Sequence, residues 1–209
     1  MRLGAEVVIA TTNAGKLKEF EKMFREKGIA VKSLLDYPEI PDIVEDGDTF
    51  AANALIKART VARRLGVPAV ADDSGLCVDR LNGAPGVYSA RYAGEPKDDA
   101  ANNRKLVGEL DKLKPLPRPD DAARPEALSP ARFVSAIALV DAEGTPLAEV
   151  EGTCEGVIIR EPRGSGGFGY DPLFYVPQLG RTLAELTLEE KNALSHRGQA
   201  IRKLWDFLA

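Results

Sequence analysis

Histidine is almost missing from this chain: His196 is the only one among 209 residues. Chemistry built on clustered imidazoles is therefore excluded. A Ser–His nucleophile is possible in principle, but no G-x-S-x-G elbow is present to expose the serine. Cysteine is scarce as well. Cys77 and Cys154 lie far apart without a CxxC partner, so neither a disulfide framework nor a zinc site is indicated. No apolar run approaches the ~20 residues of a membrane span, and the opening Met1-Arg2-Leu3-Gly4 carries no signal-peptide pattern. Positive charge is not in excess either: 28 Lys and Arg against 32 Asp and Glu leave a net charge of −4. Broad nucleic-acid or membrane binding would need a basic face, whereas one small anion needs only a local pocket. The expectation is a cytoplasmic protein with no nucleic-acid or membrane partner. Its chemistry would rest on carboxylate, lysine and metal.

What is present is an ordinary globular composition, long enough for a real core, and residues 1–209 read as a single domain of one or two lobes. Glu6–Ala10 reads as a strand and Thr11–Lys16 as a tight loop. A helix follows with Leu17, Phe20, Met23 and Phe24 on one face, ending at Gly28. Ile29–Leu34 is a second strand, and Pro38–Asp48 an acidic, turn-rich connection. Thr49 is the expected N-cap of a helix running to Leu65, closed by Gly66. Val67–Ala71 follows as a buried strand, and Asp99–Leu113 as a helix. Residues 114–130 carry five prolines and read as a surface loop. Arg132–Val140 and Leu147–Ile159 are two long strands joined by a turn at Glu143-Gly144. The capping box Thr187-Leu188-Glu189-Glu190 opens one final helix. Helices and strands that alternate at first, then a hairpin, predict an α/β fold on a mixed sheet.

Several groups of residues carry chemistry. Asp72-Asp73-Ser74-Gly75 stands at the end of the Val67–Ala71 strand. Within a strand, neighbouring side chains point to opposite faces; at a strand end, both acids can lean toward one rim. Such a pair suits a hard cation like Mg²⁺, or else Asp72 merely caps a turn. Asn13, Gly15 and Lys16 offer backbone N–H groups, a helix N-terminus and an ammonium together, which is how phosphate is held. The spacing is not that of a Walker A loop, and an Asn13 cap beside a solvated Lys16 is the plainer alternative.

Lys57 lies on the edge of the stripe formed by Phe50, Ala54, Ala58, Val61 and Leu65. It either snorkels to water or aims its ammonium into a polar pocket. Among Glu39, Asp42, Glu45, Asp46 and Asp48, one acid could complete a metal site with Asp73. The glycines of 164–172 would let a ligand approach, with Phe168 free to stack on a base; a flexible hairpin is the alternative. Lys191, Ser195, His196 and Arg197 crowd the first turns of the last helix, where cations oppose the helix dipole unless a ligand compensates.

In this order the pieces resemble one family, the inosine triphosphate pyrophosphatases, which hydrolyse non-standard purine nucleotides such as ITP, dITP and XTP. The likeness rests on Ala10–Lys16, Asn53-Ala54 with Lys57-Ala58, Ala71–Leu76, Gly83–Arg91, Gly166–Pro172 and Ser195-His196-Arg197. Thr12, where many relatives carry Gly, and the 114–130 loop are the departures. The resemblance implies triphosphate binding by Thr11, Thr12, Asn13, Ala14, Gly15, Lys16 and Lys57, and Mg²⁺ held by Glu45 and Asp73. It makes Asp73 the proton acceptor with Asp72 in support, while the residues themselves leave either acid as the base, and it brings Ser74 to the substrate. Phe168, Gly169, Tyr170 and Asp171 would sandwich the base, completed by Lys191, His196 and Arg197. The implied fold is an elongated α/β structure with a long mixed sheet and an active cleft between two lobes, usually a homodimer. The reaction would be water attack on the α-phosphorus, giving a monophosphate and pyrophosphate. Donors on Arg197, His196 or loop N–H groups would select the 6-oxo bases. Rival readings are a Maf-like pyrophosphatase acting on other nucleotides, a non-hydrolysing nucleotide sensor, and a generic phosphohydrolase releasing orthophosphate.

Overall fold

A computed structural model describes residues 6–117 and 125–208. Its elements are β1 (Glu6–Ile9), α1 (Ala14–Arg25), β2 (Ala30–Ser33), α2 (Phe50–Leu65), β3 (Ala69–Val78) and α3 (Asp99–Asp111). After them come β4 (Ala127–Val140), β5 (Pro146–Ile159), β6 (Phe174–Val176), β7 (Arg181–Thr182), α4 (Leu188–Leu194) and α5 (His196–Leu208). The strands form one mixed sheet in the order β2-β1-β3-β4-β5-β6-β7. β1 is parallel to both β2 and β3, whereas β6 is antiparallel to β5 and to β7. The α/β class and the mixed sheet are as expected.

By internal contacts the chain divides into two compact units. The first draws on Met1–Ser74, Val134–Thr153 and Asn192–Ala209, the second on Gly75–Phe133 and Cys154–Lys191. In the first unit the period-2 alternation of the strands builds two cores. Val7, Ile9, Val70, Ile137 and Leu139 pack with Phe20, Met23 and Phe24 of α1 and Ile201 and Leu204 of α5. Val8, Ala10, Ala69, Ala71, Ala136 and Ala138 pack instead with Ala54, Ala58, Val61 and Ala62 of α2. Alanine is frequent in this second core, as it is where a helix lies close on a sheet. In the second unit, Leu76, Leu106, Leu110, Ile158, Leu173 and Phe174 are fully buried, and the Phe133 and Phe174 rings lie 4.7 Å apart.

Four expectations about elements need correction. β3 does not end at Ala71; it runs on through Asp72-Asp73-Ser74-Gly75 to Val78. Ser-Gly signals a turn only where the backbone is otherwise unpaired, and β3, which pairs with β1 at Ala69 and Val70, has β4 as its other neighbour. The expected final helix is two helices broken at Ser195, whose Oγ accepts the Gly198 N–H and starts α5 afresh. A Cβ on Gly198 would overlap the carbonyl oxygen of Asn192, so the break depends on that glycine. β4 begins at Ala127, inside the proline-rich stretch; part of the expected 114–130 loop lies outside the described residues. Finally, the short strands β6 and β7 follow the glycine-rich segment, too brief for any periodicity to announce them.

Candidate active site

β3 explains the behaviour of the two acids. Because it continues as a strand, Asp72 falls on the side of Val70, facing α1 and α5, and Asp73 on the side of Ala71, facing α2. The two carboxylates then meet different partners.

Asp72 is wholly buried and its oxygens are fully engaged. Oδ1 accepts from Ser135 Oγ of β4 at 2.5 Å. Oδ2 lies 2.7 Å from Lys16 Nζ, 3.3 Å from an Arg197 guanidinium nitrogen and 3.2 Å from Ser74 Oγ. Burial works against its charge, but Arg197 and Lys16 outweigh that and hold Asp72 well below the usual carboxylate range. Arg197 also donates to Glu19 of α1 and to Ser74 Oγ, the latter at 2.7 Å. The buried charges therefore balance: Lys16 and Arg197 against Asp72 and Glu19.

On the other side, Lys57 of α2 donates to Asp73 Oδ1 at 3.1 Å and to Glu45 at 2.9 Å. Burial pushes the ammonium toward neutrality, yet Asp73 and Glu45 together raise its pKa. Burial also lifts Asp73 above the ordinary aspartate value against the pull of Lys57, with the Glu45 charge adding to the rise. Burial disfavours the Glu45 charge too, but there Lys57 outweighs it and the pKa is lowered. The acidic connection is tied to α2 by Asn53, whose side chain accepts the Gly47 N–H at 2.8 Å.

Asp73 Oδ2 is buried and accepts no hydrogen bond among the described residues. An orphan carboxylate oxygen, beside a second carboxylate on the same ammonium, is a hard donor set that fits a magnesium ion. Among the described residues no three His, Cys, Asp or Glu side chains gather as a metal cage. Mg²⁺ does not require one, since it is commonly held by one or two carboxylates with waters and substrate phosphates.

The residues expected to bind phosphate, Thr11–Lys16, lie at the start of α1. Asn13 is its N-cap, accepting the Lys16 N–H at 3.0 Å, and Thr11 Oγ1 accepts the Asn13 N–H. The loop is thus shorter than the sequence suggests, with Ala14, Gly15 and Lys16 already in the first helical turn. Thr12 and Asn13 are exposed, while Lys16 reaches inward to Asp72. Burial, and then the neighbouring Lys57 and Arg197, lower the Lys16 pKa even though Asp72 opposes them.

In the second unit, Lys191 Nζ donates to Asp171 Oδ2 at 2.6 Å and stands 4.6 Å above the centre of the Phe168 ring. The same Asp171 oxygen accepts the Phe168 N–H at 2.9 Å. Gly167 has φ +71°, and a Cβ there would collide with that carboxylate. The Tyr170 hydroxyl donates to the Ser89 carbonyl at 2.8 Å. Phe168–Asp171 is therefore an ordered turn with an aromatic face and an ammonium over it.

His196 is buried at the start of α5. Arg197, expected at a base pocket, has its guanidinium in the buried network with Glu19, Asp72 and Ser74. Sequence reasoning misses Glu19 and Ser135, though both leave a trace. Glu19 sits with Lys16, Phe20 and Met23 at helical spacing on the inward stripe of α1, and Ser135 interrupts an otherwise apolar run.

The class is that of α/β proteins built on a mixed sheet, here with a buried acid–lysine centre on the interior strand β3. The Ham1 family model matches residues 7–207, and the chain belongs to the Ham1 family. It is 54% identical over 199 residues to the dITP/XTP pyrophosphatase of Geobacillus kaustophilus, covering 95% of this chain and 92% of the relative. To the dITP/XTP pyrophosphatase of Halalkalibacterium halodurans it is 51% identical, covering 95% and 96%. Among solved structures, the Coxiella burnetii HAM1 protein superposes with a TM-score of 0.79 at 46% identity, covering 95% of each chain. The Staphylococcus aureus Ham1 protein gives 0.79 at 39%, covering 97% of each.

Proposed function

We infer that this protein is a nucleoside triphosphate pyrophosphatase acting on non-standard purine nucleotides, dITP, XTP and ITP, to give the monophosphate and pyrophosphate. Identity of about half over nearly the whole chain with relatives named dITP/XTP pyrophosphatase carries the reading. The acid–lysine centre supports it chemically. Glu45 and Asp73 are the residues proposed to hold Mg²⁺, which when bound supplies charge neutralisation for phosphate oxygens and a more acidic water. Lys16 and Lys57, with the N-terminus of α1, absorb the negative charge of the triphosphate. Asp73 takes the proton from the attacking water. Its Oδ2 is uncommitted, whereas every oxygen of Asp72 is occupied. Asp72 instead anchors Lys16 and Arg197.

Phe168, Gly169, Tyr170 and Asp171, with Lys191 and His196, are proposed for the base. Hydrogen-bonding groups there can reject a mismatched base by ~10⁴-fold, which an apolar pocket cannot. Arg197 acts through the residues it holds, Asp72 and the substrate-facing Ser74, so Arg197→Ala is expected to lower the ITP:ATP preference and the activity together. The chain is further proposed to be cytoplasmic and homodimeric, with no nucleic-acid or membrane partner; no helix among the described residues is long and apolar enough to cross a membrane. Sedimentation at twice the chain mass tests the dimer.

The decisive assay supplies Mg²⁺ with ITP, dITP, XTP, GTP, ATP or UTP and resolves the products. Monophosphate plus pyrophosphate from the first three, with ATP and GTP nearly untouched, is the expected result. Orthophosphate release, or turnover of UTP alone, overturns the reading. Hydrolysis in ¹⁸O-water then locates the attack: label in the monophosphate means the α-phosphorus.

A further inference from the structure

The first turns of α3 grip the turn that carries Phe168. Asp99 and Asn103 are one helical turn apart, i and i+4, and so share a face of α3. Both reach the same residue of the glycine-rich segment. Asp99 Oδ2 accepts the Gly169 N–H at 2.7 Å, and Asn103 Nδ2 donates to the Gly169 carbonyl at 3.0 Å. Both backbone groups of one residue are thereby held from one helix. Gly169 has φ +62°, where an unsupported chain has many alternatives. The Asn103 amide accepts a cost to make this grip: its Oδ1 is buried without a hydrogen bond among the described residues. Asn102, next along the helix, is buried and faces elsewhere, accepting the Ala93 N–H at 2.7 Å and donating to the Ala90 carbonyl at 3.1 Å. Asp98 is occupied as the N-cap of α3. The helix is thus fixed on one side by Asn102 and holds Gly169 on the other.

We propose that Asp99 and Asn103 are positioning residues for nucleobase recognition, fixing Gly169 so that Phe168 and the Lys191–Asp171 pair keep one geometry. The proposal rests on the assignment of 168–171 to the base. Neither residue touches the phosphate chemistry, so their loss acts on selection and binding. Without the clamp, the N–H and carbonyl of Gly169 turn to water and the turn samples other conformations. Binding of the base then carries the entropy cost of ordering the turn.

The test compares Asp99→Ala, Asp99→Asn, Asn103→Ala and the double Asp99→Ala/Asn103→Ala with Phe168→Ala. An amide oxygen at 99 still accepts the Gly169 N–H, so Asp99→Asn is expected to rescue. For the double variant, KM for dITP and XTP should rise about tenfold with kcat within about twofold. Preference over ATP should fall, and hydrogen exchange across 166–171 should quicken, with the remaining core unchanged. Unchanged exchange in the double variant overturns the clamp. Quickened exchange with unchanged KM and selectivity overturns its role in recognition. Should Phe168→Ala also leave KM and selectivity untouched, the base assignment itself has failed; if Phe168→Ala weakens binding and the double variant does not, only the clamp proposal falls.

Discussion

Asp72 and Asp73 are joined by one peptide bond and carry the same side chain, yet their surroundings give them opposite work. Asp72 is the counter-charge for Lys16 and Arg197 and has no oxygen to spare. Removing its charge leaves two buried cations short of a partner. Asp72→Asn is therefore expected to destabilise the fold by about 3–5 kcal/mol, read as a lowered urea midpoint. Asp73 is the reverse case. Its burial already disfavours the charge, so Asp73→Asn should change stability by less than about 1 kcal/mol while cutting kcat by about 10²–10⁴-fold. Near-normal turnover in Asp73→Asn, or a well-folded and active Asp72→Asn, would reverse the assignment of roles. The pairing of adjacent acids was visible in the sequence. Which one is saturated was not, because Ser135, Lys16 and Arg197 reach Asp72 from separate elements.

At the scale of elements, two glycines in helices make opposite demands. Gly198 lies in the first turn of α5, where a Cβ would meet the Asn192 carbonyl oxygen. Gly198→Ala must push α4 and α5 apart, and a loss of about 1–3 kcal/mol in thermal or urea unfolding is expected. Gly108 lies exposed within α3, with nothing within 4 Å of where a Cβ would stand. Gly108→Ala should stabilise by about 0.5–1 kcal/mol, because alanine restricts the unfolded chain and favours the helix. If both substitutions move stability the same way, the close approach of α4 and α5 is not the cause. The helix α2 with its Thr49 and Gly66 caps was readable from local pattern alone. The break at Ser195 was not, since a serine within a helical stretch marks a start only once its hydroxyl is seen to accept the Gly198 N–H.

For the molecule as a whole, alkaline stability offers a test of burial. Burial holds the Cys154 thiol up at about 11, with Glu155 and Asp171 adding to the rise. In the unfolded chain a thiol ionises near ~8.5. The neutral thiol therefore contributes stability that is fully present below about pH 8.5 and is lost as pH rises toward 11, up to about 3 kcal/mol. Cys154→Ala should lack that part of the decline, seen as a shallower fall in Tm between about pH 8.5 and 10.5. An identical slope would place the thiol in contact with solvent. Local sequence determined the helices with their caps, the mixed α/β pattern and the order of acids, lysines and glycines along the chain. Those features depend on neighbours within a turn or two, where periodicity and capping act. Only the tertiary structure decided that β3 runs straight through its acidic segment, sending Asp72 and Asp73 to opposite faces of the sheet. It alone decided that Ser135 and Arg197 secure Asp72, that Glu19 secures Arg197, and that α3 holds Gly169. Each of these contacts joins residues distant along the chain, and their energies are set by burial and charge that no single segment contains.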